Sequence, residues 1–100
     1  LIYTARRIDA AEALNIGLVN RVVKPENLME EALSLAKEIS ANGPIAVQQA
    51  KFALNYGTEV SLGVALPLES MAYEKTIPTK DRQEALTAFA EKRKPEFKGE

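Results

Sequence analysis

With 100 residues, 46% of them hydrophobic and 27% charged, the sequence has the composition of a globular chain and lies far from the low-hydrophobicity, high-charge signature of disorder. Its 13 basic and 14 acidic residues leave a net charge of -1, which gives no basic field for nucleic acid or anionic membrane, so any anion site must be local. The lack of cysteine and histidine removes disulfides, thiolate nucleophiles and the commonest metal ligand and general base; acid–base work would fall to carboxylates or tyrosines, and no metal site is expected.

The sequence opens on Leu1-Ile2-Tyr3-Thr4, without Met and without the basic-then-apolar layout of a signal peptide, and no apolar run reaches the length of a membrane span. We therefore expect a polypeptide that extends upstream and resides in the cytoplasm or an organelle matrix. Asp9 and Glu12 have the capping-box spacing, Ala10, Ala11, Ala13 and Leu14 are good helix formers, and Gly17 stands where a helix stop belongs. The β-rich stretch from Leu18 to Val23 reads as a brief strand or extended segment ended by Lys24-Pro25. Asn27 and Glu30 repeat the capping spacing, and Leu28, Ala32, Leu35, Ala36 and Ile39 then fall on one face at helical period.

Asn42-Gly43-Pro44 combines a stop with a proline suited to the first turn of the next helix, whose stripe is Val47, Ala50, Ala53 and Leu54, ending at Gly57. A fourth helix is predicted from near Ser61 to about Lys75, with Pro67 inside it either kinking it or marking its true first turn. Ile77-Pro78-Thr79 breaks the chain again; Thr79 can cap, Asp81 sits well at a helix N-terminus, and Ala85, Leu86 and Phe89 form the expected buried face of the last helix. Glu91-Lys92-Arg93-Lys94 leads into a short tail. The fold class is thus mainly α, five helices with one short extended piece. With only three Phe and three Tyr the core is lean, and docking onto another domain or subunit is the physical expectation.

General motifs add little: there is no Gly-rich phosphate loop, no Ser/His/Asp set and no aromatic-interleaved basic patch. Three longer strings go further. RRIDAAEALNIGLVNRVV resembles the stretch that follows the catalytic region in the enoyl-CoA hydratase (crotonase) family, ANGPIAVQQAKFALN resembles the next helix start, and TIPTKDRQEALTAFAEKRKPEFKGE resembles the C-terminus, closest to the methylglutaconyl-CoA or short-chain enoyl-CoA hydratase branch. The resemblance covers essentially the whole chain. It implies the helical C-terminal trimerisation domain of a ClpP-like α/β spiral, with residues 1–24 as the junction to a catalytic core and 25–100 as the helical assembly domain. Thr4-Ala5-Arg6-Arg7 is similar to the family's Thr-Gly-Arg turn with Ala for Gly, a departure that bears only on local backbone conformation; Pro67 is a second departure.

In this family two backbone N–H groups stabilise a thioester enolate and two glutamates handle the water and the α-proton, and the resemblance places all of these upstream, outside this chain. No catalytic residue is therefore expected here, and the segment alone is expected to be inactive. Glu12 and Glu30 are accounted for as capping residues, Glu69 and Glu84 as solvated helix positions. What the resemblance carries over is a Phe and a Lys three residues apart at the end of the last helix, matching Phe89 and Lys92, that reach the CoA moiety bound by a neighbouring subunit. Residues three apart share a helix face, so an aromatic ring can cover CoA while an ammonium reaches a phosphate; the alternative is that Phe89 is core and Lys92 merely favours the helix C-terminus. Arg93 and Lys94 offer diffuse attraction for phosphates or are plain solvated surface, and Tyr73 lies near the acyl pocket or subunit contact or is simply core.

The implied parent is a hydro-lyase that adds water to 2-enoyl-CoA thioesters in fatty-acid or branched-chain amino-acid degradation. It would assemble as a homotrimer or hexamer, use no cofactor because CoA is part of the substrate, and reside in the bacterial cytoplasm or the mitochondrial matrix. Two other readings stay open: a pure oligomerisation module, or the tail of a crotonase-family isomerase or decarboxylase. Nucleic-acid and membrane binding are disfavoured by the near-neutral charge.

Overall fold

Five helices form, and their caps show why. The structure, a computed structural model, describes all of residues 1–100: α1 is Ala10–Asn15, α2 Leu28–Ser40, α3 Pro44–Gly57, α4 Leu62–Glu74 and α5 Lys80–Glu91, with a 3-10 turn at Pro25–Asn27 and no strand. The chain divides within α2 into two units, Leu1–Leu35 and Ala36–Glu100.

In the first unit the Asp9 carboxylate accepts the Glu12 N–H at 2.8 Å, the capping bond that the spacing predicts. The reciprocal half of the box is missing, because the Glu12 carboxylate turns instead to Arg6, at 2.6 and 2.9 Å. α1 ends as the sequence indicates: Gly17 takes a φ of +73°, its N–H bonds the Leu14 carbonyl at 3.1 Å, and the Leu18 N–H bonds the Ala13 carbonyl at 2.9 Å, a two-bond Schellman closure. Ala5 adopts φ +48°, so alanine here occupies the left-handed region where glycine is at ease.

The stretch from Leu18 to Val23 pairs with no strand; its contact in this unit is the Arg21–Glu31 ion pair at 3.2 Å. Asn27 does not cap α2. Pro25, whose missing N–H is harmless at a helix start, opens a 3-10 turn after Lys24, the Asn27 N–H bonds the Lys24 carbonyl at 2.9 Å, and the turn runs straight into α2. The apolar stripe expected on α2 is present, yet Leu28, Leu35 and Ile39 on it are all exposed.

In the second unit α3 and α4 pack on each other through small residues: a Cβ added at Gly57 would lie 3.7 Å from that of Ala65. Pro67 sits inside a continuous α4. It deprives the Gly63 carbonyl of its donor four residues on, and Gly63 is exposed with nothing packed on it, so water can serve that carbonyl instead. Thr79 caps α5, its hydroxyl accepting the Arg82 N–H at 3.1 Å. The buried positions of α5 are Asp81 and Ala88, with Ala85 half-buried, while Leu86 and Phe89 face outward. The expected face of Ala85, Leu86 and Phe89 is therefore wrong by about one position, because the polar side of α5 is covered by the chain's own tail, bonded to Asp81 and Glu84.

The buried hydrophobic set is Ala13, Ala72 and Ala88, at 8%, 4% and 1% exposure, and no large side chain is fully buried. The thin core expected from composition is thus thinner still. Replacing Thr79 with alanine removes the α5 cap and should lower protection of the first-turn amides of α5 by about 1 kcal/mol in native-state hydrogen exchange, leaving α3 unchanged. Unchanged α5 protection would mean that the cap adds nothing.

Candidate functional site at the end of helix α5

α5 stops after Glu91 because the backbone reverses at Lys92, whose φ of 57° and ψ of 34° are left-handed. The Lys92 N–H bonds the Phe89 carbonyl at 3.2 Å and the Arg93 N–H bonds the Ala88 carbonyl at 3.0 Å. This is the closure that ends α1, with lysine where α1 has glycine, and a side chain in that region costs roughly 1–2 kcal/mol. Lys92 thus stands outside the helix, so the helix-face argument for pairing it with Phe89 does not hold; the reversal, not the helical period, decides where the ammonium starts.

The Phe89 side chain is 86% exposed, which removes the reading of Phe89 as core within this chain. Lys92 enters no ion pair. Arg93, by contrast, is fully engaged. Its guanidinium donates to both oxygens of Glu84, at 2.5 and 2.9 Å, and through Nε to Glu91 at 2.7 Å, which raises its pKa further. It is therefore a structural cation rather than free positive surface.

Glu84 is not a solvated helix position. Its carboxylate, 24% exposed, also accepts the Glu96 N–H at 2.8 Å, and the Arg93 hydrogen bonds followed by that amide hold its pKa at about 2, below the ordinary 4.5. One turn back, Asp81 is 6% exposed and takes the Lys98 and Gly99 N–H groups at 2.7 and 2.8 Å, while its own N–H bonds the Glu100 carbonyl at 3.1 Å. Lys80 pairs with the Glu100 side chain at 2.7 Å. Two carboxylates three residues apart thereby fasten the tail along α5. Sequence reasoning missed this clamp, since nothing in the spacing of Glu84 and Arg93 marks them as partners.

Tyr73 is more than half exposed, so it is not core within this chain; its hydroxyl accepts from Arg82 at 2.8 Å, and the guanidinium lies 5.5 Å from the ring centre. With Ala50, Ala53, Ala65 and Glu69 it lines an open groove of about 590 Å³ between α3 and α4. The groove is apolar, and the end of α5 offers what could cover a planar or apolar surface and meet an anion: an exposed ring followed by an unpaired ammonium.

A family model described as enoyl-CoA hydratase/isomerase matches residues 1–100. The Bacillus subtilis protein named enoyl-CoA hydratase/isomerase YngF is 59% identical over 98 residues, 98% of this chain and 38% of that protein. Human mitochondrial methylglutaconyl-CoA hydratase is 45% identical over 104 aligned positions, 100% of this chain and 31% of that protein. The crystal structure of an enoyl-CoA hydratase from Bacillus anthracis superposes with a TM-score of 0.97 at 53% identity, covering 100% of this chain and 39% of that one. The chain spans between about a third and two fifths of the length of these relatives.

Because the Glu84 carboxyl is held below its ordinary value, its contribution to the clamp is complete above about pH 4.5 and is lost as the pH falls through about 2. Carboxyl-detected NMR titration should give Glu84 a midpoint near 2, with protection of the Glu96 amide lost in the same interval. A midpoint near 4.5 would show that the clamp does not persist in solution.

Proposed function

This chain belongs to the enoyl-CoA hydratase/isomerase family, and on that premise we propose that it is the helical assembly part of a hydro-lyase that adds water to 2-enoyl-CoA thioesters. In this reading residues 1–24 join a catalytic core and residues 25–100 form the assembly domain. The oxyanion donors and the two carboxylates of the reaction stand outside the chain, so the segment alone is inactive. Phe89 and Lys92 then contact the CoA moiety bound by a neighbouring subunit of a trimer or a dimer of trimers. CoA enters as part of the substrate, and no separate cofactor is needed.

The observation that carries this reading is the end of α5: a ring 86% exposed, followed by a lysine that no carboxylate occupies. Covering a solvent-facing phenyl ring is favourable in proportion to the apolar area removed from water, and an unpaired ammonium beside it suits a phosphate-bearing ligand. The exposed stripe of α2 supports assembly in the same way. The relatives include a bacterial and a mitochondrial protein, and no helix of the chain is long and apolar enough to cross a membrane; we place the parent in the cytoplasm or the mitochondrial matrix. The family description also names isomerases, so an isomerase parent is the second reading, differing only in residues outside this chain.

Combining this chain with an upstream segment of the family should restore hydration of a short 2-enoyl-CoA. Lys92→Ala should then raise KM about fivefold, the effect of roughly 1 kcal/mol from one exposed ion pair, with kcat unchanged. Light scattering should find a discrete trimer. A folded monomer whose partnered activity ignores Lys92→Ala would overturn both the assembly and the CoA reading.

A further inference from the structure

We infer that Glu84 is a positioning residue for Lys92: by gripping Arg93 and the Glu96 amide with one carboxylate, it locks the left-handed reversal that presents the ammonium to an anionic group of the bound ligand. The inference rests on the reading that Lys92 meets CoA. It starts from a contrast within the chain. The same Schellman closure ends α1 and α5, but α1 uses Gly17 at φ +73° and α5 uses Lys92 at φ +57°. Glycine reaches that conformation freely, whereas lysine must be held there by its surroundings.

The holding groups are on either side. Arg93, the next residue, is gripped at both terminal nitrogens by Glu84 and at Nε by Glu91, the residue just before Lys92. Glu84 also takes the Glu96 N–H, so the chain after the reversal is tied back to the second turn of α5 rather than left to swing. With the carboxylate gone, Arg93 keeps only the neighbouring Glu91 and the Lys94 carbonyl, neither of which ties it to the body of α5, so the strained residue can relax toward ordinary backbone angles and the ammonium loses its fixed origin. A pre-set cation loses less freedom on binding than one that must be ordered, so the clamp acts on ligand affinity rather than on chemistry.

The test is a double-mutant cycle in the full-length enzyme that carries this segment, with KM and kcat measured for a short 2-enoyl-CoA. Glu84→Gln keeps the size of the side chain and an acceptor for Glu96 but removes the charge that grips Arg93. It should raise KM about fivefold, comparable to the loss of the exposed ion pair itself, with kcat unchanged, and should add nothing in a Lys92→Ala background. Effects of Glu84→Gln and Lys92→Ala that add would overturn the proposal and leave the CoA contact standing. A wild-type KM for Lys92→Ala alone would instead remove the CoA reading and the proposal with it. Should Glu84→Gln fold poorly, Arg93→Gln breaks the same pair from the other side and must give the same non-additive result; an Arg93→Gln enzyme with unchanged KM would also overturn it.

Discussion

The carboxylate of Asp81 takes two backbone amides of the C-terminal tail, and most of what is ordered at that end of the molecule depends on it. A tail that joins no helix and no sheet must still satisfy its N–H groups, and a carboxylate does so more strongly than a neutral acceptor. Asp81 also lies in the first turn of α5, where the helix dipole favours negative charge. Burial at 6% exposure is tolerable for a charge only because those amides replace its water. A methyl at Gly43 would lie 3.8 Å from Asp81 and from the Phe97 ring, so the start of α3, the start of α5 and the tail meet around this one group.

Around that anchor the apolar packing is sparse. Three alanines make up the buried hydrophobic set, and the larger apolar side chains, Leu28 and Ile39 on α2, Leu62 and Leu66 on α4, Leu86 and Phe89 on α5, remain open. Alanine cores bring helices close but bury little area, so polar clamps and caps hold the local geometry while the large side chains stay available for other surfaces. This division suits a segment whose relatives are more than twice its length.

The end of α5 combines both roles. Glu84 neutralises Arg93 and secures the tail, which leaves Lys92 as the cation of the reversal without a partner and Phe89 as the ring without cover. The run of charges Glu91-Lys92-Arg93-Lys94 is thus sorted by the fold into one internal pair, Glu91 with Arg93, and two lysines outside any ion pair, of which Lys92 stands at the reversal itself.

The sequence by itself determined the helices, their order and several of their ends, because caps and stops act over three or four residues: Asp9 with the Glu12 amide, Gly17 after α1, Thr79 with the Arg82 amide. It also carried the family, in strings long enough to be specific. Only the tertiary structure decided which faces are covered. The α5 face lay one position from where periodicity put it, since the covering element is a tail held by Asp81 and Glu84, contacts that span twelve to eighteen residues. Asn27 gave way as a cap to the turn opened by Pro25, and Lys92 took a conformation that its type disfavours. Asn27 lost to a local rule, a proline at the helix start, but for the α5 face and for Lys92 the deciding contacts joined groups nine to eighteen residues apart, about which side-chain spacing carries no information.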